Sequence, residues 1–136
     1  MSQKTKMQQT SEFGSDWWND SNDHVELQHA FEEGAVGATS NPVITLNSVK
    51  SHPDVWTPVI DSMIDENHNA SEDEILWLLI DKVGEKAAKI LFPVYEKSNG
   101  KKGKLSLQVN PKYYRNADAM FEQGKYLASL APNIAI

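Results

Sequence analysis

Stretches of strand character alternate with stretches of helical character along this chain, and that alternation constrains the fold more than any other feature. Residues 13–21, FGSDWWNDS, read as a short strand ending in a turn-like cluster, Asn19-Asp20-Ser21-Asn22-Asp23. An Asp or Asn there can accept the free amide hydrogens that open a helix. In the helix that follows, Leu27, Ala30 and Phe31 fall at i, i+3 and i+4, and Gly34 stands at the C-terminal cap position. The small and β-branched run Ala35 to Thr39 reads as a second strand. Asn41-Pro42 then offers an N-cap and a proline at the first helical position.

A long helical region comes next. His52-Pro53 starts one helix, with Val55, Trp56, Val59, Ile60, Met63 and Ile64 at helical spacing. Ser71-Glu72-Asp73-Glu74 has the form of a capping box and precedes a stripe of Ile75, Leu76, Leu79, Ile80 and Val83. That stripe extends toward Ile90 and Leu91, with Gly84 as its weak point. KLSLQVNP, residues 104–111, alternates as a third strand, with Leu105, Leu107 and Val109 on one face and Ser106, Gln108 and Asn110 on the other. Met120, Phe121, Gly124, Leu127, Ala128 and Ala131 mark a further helix, and Ile134-Ala135-Ile136 opens a fourth strand. Strands joined through helices run parallel with right-handed crossovers. Two closures remain open on this reading: a small doubly wound sheet, or part of a barrel. No GxGxxG or GxxxxGK[ST] follows the first strand, which argues against nucleotide binding by a doubly wound sheet.

Composition narrows the function classes. A hydrophobic content of 40% suits a folded domain with a core, and 136 residues suit one domain. Cysteine is absent, so disulfides and thiolate metal sites are excluded. A net charge of −6 argues against a nucleic-acid groove, and no apolar run approaches the ~20 residues of a membrane span. The polar start, MSQKTKMQQTSE, lacks a secretory apolar region and reads as a disordered leader over residues 1–12, ahead of a domain over 13–136. The expected location is cytoplasmic.

In parallel α/β folds, working residues lie at the C-terminal ends of strands. Asp20, Asn41 and Gln108 occupy those positions, and a parallel arrangement brings them to one rim as an acid and two amides. Each also has a plainer role: Asp20 and Asn41 as caps of the following helices, Gln108 as a solvated strand residue. His24, His29, His52 and His68 show no metal-ligand spacing, so no metal site is expected. Trp17-Trp18 could stack on a sugar or base, or belong to the core. The lysines at 97, 101, 102 and 104, spaced by glycines, read as an exposed, mobile loop.

The stretch DWWNDSNDHVELQHAFEEGAVGATSNPVITL resembles the start of the transaldolase family. The family's first-strand Asp motif is matched by Asp20-Ser21-Asn22-Asp23, and its second-strand motif by Thr39-Ser40-Asn41-Pro42. LSLQVNPKYY, residues 105–114, is similar to the third-strand segment, and LASLAPNIAI to the approach to the fourth. The resemblance implies the N-terminal half of a TIM (β/α)8 barrel, about four parallel strands, with extra helices between strands 2 and 3. It also implies cofactor-free Schiff-base chemistry on sugar phosphates, in which a lysine imine draws electrons from a breaking carbon–carbon bond. Asp20 is then the proton carrier for the substrate hydroxyl. Thr39, Asn41 and Gln108 line the substrate pocket, with Gln108 orienting a water.

Two features set the chain apart from the family pattern. Transaldolases carry Glu where this chain has Gln108, whereas aldolase members carry Gln, so transfer and aldol cleavage both stay open. The family's lysine follows the apolar part of the fourth strand, so it is expected after Ile136. The expectation is therefore a barrel domain truncated in strand 4 and inactive alone. The alternative is a non-catalytic half-barrel that self-associates or binds a partner through its open face.

Overall fold

A computed structural model describes residues 4–136, and residues 1–3 of the expected leader lie outside the described residues. The leader is not all irregular: Lys6–Ser11 form a helix, α1. A capping box explains it, because Thr5 accepts from the Gln8 amide while the Gln8 side chain accepts from the Thr5 amide. The Thr5 hydroxyl also donates to the Glu33 carbonyl at 2.6 Å, fastening α1 to the end of the next helix.

Strands β1 (Trp18–Asn19), β2 (Gly37–Thr39), β3 (Lys104–Ser106) and β4 (Ile134–Ala135) make one four-stranded sheet, all parallel, in the order β1-β2-β3-β4. Helix α2 (His24–Glu33) joins β1 to β2. Helices α3 (Pro42–Ser51), α4 (Pro53–Glu66) and α5 (Glu72–Lys97) lie between β2 and β3, and α6 (Ala117–Ser129) between β3 and β4. This order decides between the two closures. A doubly wound sheet reverses direction at a switch point and carries helices on both faces. A sheet that always advances the same way, with right-handed crossovers, carries its helices on one face and curls toward a barrel. The fold is an open parallel sheet with several helices, consistent with half of a (β/α)8 barrel.

Period-two alternation fits this one-sided cover. Ala38, Leu105, Leu107 and Ile134 are buried in one core with Leu27, Ala87, Ala88, Leu91 and Leu127 from the helices. Between them Thr39, Lys104, Ser106 and Ala135 are only partly covered and belong to the other face. A second core joins α3, α4 and α5 through Val49, Trp56, Met63, Leu79 and Val83.

Helix α5 runs unbroken through Gly84. There the helix comes so close to β3 that a Cβ would lie 3.1 Å from Leu107 Cδ1, so Gly84 serves packing and is no breakpoint. The lysine-rich loop is tied down where mobility was expected. Ser98 Oγ accepts from the Lys102 amide at 2.8 Å, Lys102 pairs with Asp16 at 2.5 Å, and the Gly103 amide donates to the Val36 carbonyl at 2.6 Å.

Candidate functional site

The C-terminal ends of the strands form a row. Asn19 is in register with Ala38, Thr39 with Ser106, and Ser106 with Ala135. Asp20, one residue past β1, therefore stands beside Thr39, whose hydroxyl donates to Asp20 Oδ1 at 2.6 Å. Asp20 is exposed on this rim and does not cap α2. Asp23 is the cap, its Oδ1 accepting from the amides of Val25 and Glu26 at 3.0 Å each. The plainer role considered for Asp20 thus belongs to its neighbour.

Asn41 does cap its helix: Oδ1 accepts from the Ile44 amide at 2.9 Å. That bond orients the side chain at the rim, and its amide nitrogen has no hydrogen-bond partner among the described residues. The turn that carries Asn41 is held to the neighbouring strand, because both the amide and the hydroxyl of Ser40 donate to the Ser106 carbonyl, at 3.1 and 3.0 Å. Gln108 lies just past the end of β3 and is exposed. The Leu107 amide still donates to the Ala135 carbonyl at 2.8 Å, which keeps the chain extended up to that point. Asp20 and Thr39 are thus joined directly, whereas Asn41 and Gln108 sit at the same end of the sheet on their own supports.

Trp18 belongs to the open face and not to the core. Its ring crosses Gly37, its register partner, so closely that a Cβ at residue 37 would lie 2.5 Å from the indole. Trp18 as a residue remains 39% exposed, at the bottom of the face whose upper rim carries Asp20 and Thr39.

Beneath the rim, one buried amide links the first two βα units. Asn22, 1% exposed, donates to Thr45 Oγ1 at 2.8 Å and accepts from the Ser48 hydroxyl at 3.0 Å. This locks the turn after β1 onto α3. Local sequence gives no sign of the bond, because its partners lie more than twenty residues away.

A second cluster arises where α2 begins and α3 meets α4. His52 Nε2 stands 2.8 Å from Asp23 Oδ2, at ion-pair distance but outside hydrogen-bond geometry. The ring of His24 lies edge-on to that of His52, with centroids 4.6 Å apart. Burial, then the neighbouring Lys86 and His52, hold the His24 imidazole below its ordinary value. Spacing in the sequence could not reveal this group, because His24 and His52 start different helices.

Comparison with known proteins places these features in a family. The family model described as Transaldolase/Fructose-6-phosphate aldolase matches residues 17–136. "Transaldolase 1" of Streptomyces avermitilis is 29% identical over 103 residues, covering 74% of this chain and 26% of that protein. "Transaldolase 2" of Streptomyces coelicolor is 28% identical over 114 residues, covering 82% of this chain and 28% of that protein. The chain spans about a quarter of the length of these relatives.

Proposed function

Because the chain belongs to the transaldolase/fructose-6-phosphate aldolase family, we propose that it forms the first four strands of an enzyme that transfers or cleaves a three-carbon ketol unit of a sugar phosphate through a Schiff base. The observation that carries this reading is the hydrogen bond from Thr39 to Asp20, which fixes a carboxylate at the C-terminal rim of the sheet in a chain of this family. Active sites of such barrels lie at that rim.

In this mechanism a lysine outside the 136 residues, expected on the fourth strand after Ile136, forms an imine with the ketose carbonyl. The imine accepts the electron pair of the breaking carbon–carbon bond as the C4 hydroxyl loses its proton. Asp20 receives that proton, directly or through a water, and returns it when the bond re-forms. Asn41 donates its free amide to hydroxyls of the bound three-carbon unit. Gln108 orients the water; as an amide it cannot take the proton itself, which leaves that step to Asp20. Thr39 holds the carboxylate toward the open face. The product enamine either attacks an aldehyde acceptor or is protonated on carbon, and water then hydrolyses the resulting imine and frees the lysine, giving transfer or cleavage respectively.

The test uses the gene product carrying the remaining strands, with a ketose phosphate and borohydride. The expected result is a reduced, covalently trapped sugar on a lysine, and a loss of about 10²–10⁴-fold in kcat for Asp20→Ala, the usual contribution of a positioned general acid–base. No trapped sugar would remove the Schiff base from this protein. Full activity in Asp20→Ala would remove Asp20 from the chemistry.

A second reading has its own support, the uncovered sheet face and the two unpaired strand edges, β1 and β4. A 136-residue product that forms a stable dimer at physiological concentration, without carbonyl chemistry, would favour a non-catalytic interaction module.

A further inference from the structure

We propose that Asp23, His24 and His52 bind a divalent transition-metal ion of the zinc class, tying the start of α2 to the corner between α3 and α4. Each residue offers one ligand atom, and these atoms all lie within 4.8 Å of one another. Tetrahedral bonds of about 2.0–2.2 Å to a shared ion set ligand atoms roughly 3.3–3.6 Å apart, so the widest spacing closes and the 2.8 Å spacing of Asp23 and His52 opens, movements that side-chain rotation supplies.

The independent observation is two buried polar atoms that lack a hydrogen bond, Asp23 Oδ2 and His24 Nδ1. Asp23 is only 5% exposed. Its Oδ1 is committed to the two helix amides, which fixes the direction of the carboxylate. Its Oδ2 is left buried, without a hydrogen bond, facing His52 Nε2 at 2.8 Å. The Nδ1 of His24 is likewise buried and has no partner among the described residues. Polar atoms enclosed in this way ordinarily have partners. His52 has the freedom to serve as a ligand: its backbone ends α3 and starts α4, while its side chain makes no capping bond.

The donor set selects the class of ion. Two imidazoles and one carboxylate form a nitrogen-rich set suited to zinc, cobalt or nickel, with a further position for water. Calcium and magnesium favour oxygen-only sites. The hydrogen bonds from the α2 amides to Asp23 act as an outer layer of support, holding a metal-binding carboxylate in one orientation. Charges nearby act both ways: Lys86 on α5 opposes a cation near His24, while Asp54 on α4 favours one. The Lys86 ammonium is turned over the Trp56 ring, 5.3 Å from its centroid, which gives the lysine a partner of its own.

The test is calorimetric titration of the chelator-stripped 136-residue chain with zinc chloride, together with the visible spectrum of the cobalt(II) form. The expected result is one ion per chain, tetrahedral-type cobalt bands, and affinity lowered about tenfold or more in His24→Gln and His52→Gln. His29→Gln, on the same helix but outside the cluster, should bind like the parent. The variant His52→Cys keeps a ligand at the position, and its cobalt form should gain a thiolate charge-transfer band. This positive signal holds even if a glutamine variant proves poorly folded. Absence of stoichiometric zinc binding by the parent chain would overturn the proposal. So would parent-like affinity in both glutamine variants, or a cobalt-bound His52→Cys protein lacking the thiolate band.

Discussion

The hydroxyl of Thr39 donates to the carboxylate of Asp20 across the β1–β2 boundary at 2.6 Å, so the acid at the rim is held by the neighbouring strand and not by its own turn. Replacing Thr39 by Val keeps the shape of the side chain and removes the donor. Because Asp20 is exposed and water can replace the lost bond, stability should fall by only about 0.5–1.5 kcal/mol in urea unfolding. Thr39→Ser should retain most of it. In the protein with a complete barrel, Thr39→Val should lower kcat more than it raises KM, because the substitution misaims the carboxylate while leaving its charge in place.

Trp18 and Gly37 form a matched pair on the open face. A methyl group at residue 37 would collide with the indole, since its Cβ position lies 2.5 Å from Trp18 Cδ2. Gly37→Ala should therefore destabilise the chain by about 1–3 kcal/mol, the usual range for overpacking. Trp18→Leu in the same chain should recover most of that loss in a double-mutant cycle. An unchanged unfolding midpoint for Gly37→Ala would mean that the ring turns aside at no cost.

Asn133 is 1% exposed and donates twice, to the carbonyl of Ala88 at 2.8 Å and to that of Gly103 at 2.9 Å. It thereby joins α5, the entry to β3 and the start of β4 through one side chain. Asn133→Leu would strip the Gly103 carbonyl of this buried donor, at about 1–3 kcal/mol, and take a second bond, worth about 0.5–1.5 kcal/mol, from the Ala88 carbonyl, which keeps its place in the α5 ladder. The expected loss is at least about 1.5 kcal/mol, with faster amide exchange at Leu105, whose N–H donates to the Asn133 carbonyl at 2.9 Å.

Asp81 and Tyr126 join α5 to α6, the phenol donating to Asp81 Oδ2 at 2.9 Å. Burial lifts the Asp81 carboxyl above its ordinary value, and the tyrosine hydrogen bond offsets part of that rise. A carboxyl raised in the folded state contributes stability that is full below its unfolded value and lost as pH rises through the folded one. Asp81→Asn removes this loss. The variant should therefore gain stability relative to the parent as pH is raised from below the ordinary value of 3.8 toward neutrality. Although Tyr126 is half exposed as a residue, its hydroxyl end meets α5. Burial first, then the bond to Asp81, pushes that hydroxyl up to about 12. Phenolate absorbance should show this late titration in the parent and an earlier one in Asp81→Asn.

Much of the fold was legible because helix starts are local events. The proline after Asn41, the Ser71–Glu74 box and the cap at Gly34 are read from adjacent residues, and each stands where the sequence puts it. The Thr5–Gln8 box was equally local, yet the polar composition around it masked the short helix it starts. At the candidate site, the positions of Asp20, Asn41 and Gln108 near strand ends followed from alternation and from the family motifs. Their individual supports did not follow. Nothing adjacent to Asp20 indicates that Thr39 holds it, or that Asp23 does the capping.

By itself, then, the sequence determined the succession of strands and of the main helices between them, the parallel α/β class and the face that the third strand buries. These depend on side-chain period and on backbone groups a few residues apart. Tertiary structure alone decided that the sheet advances without reversing, that Trp18 lies on the open face over Gly37, and that Asp23, His24 and His52 meet. Those outcomes depend on which distant surfaces bury each other, and contacts between residues far apart in the chain leave no periodic trace in it.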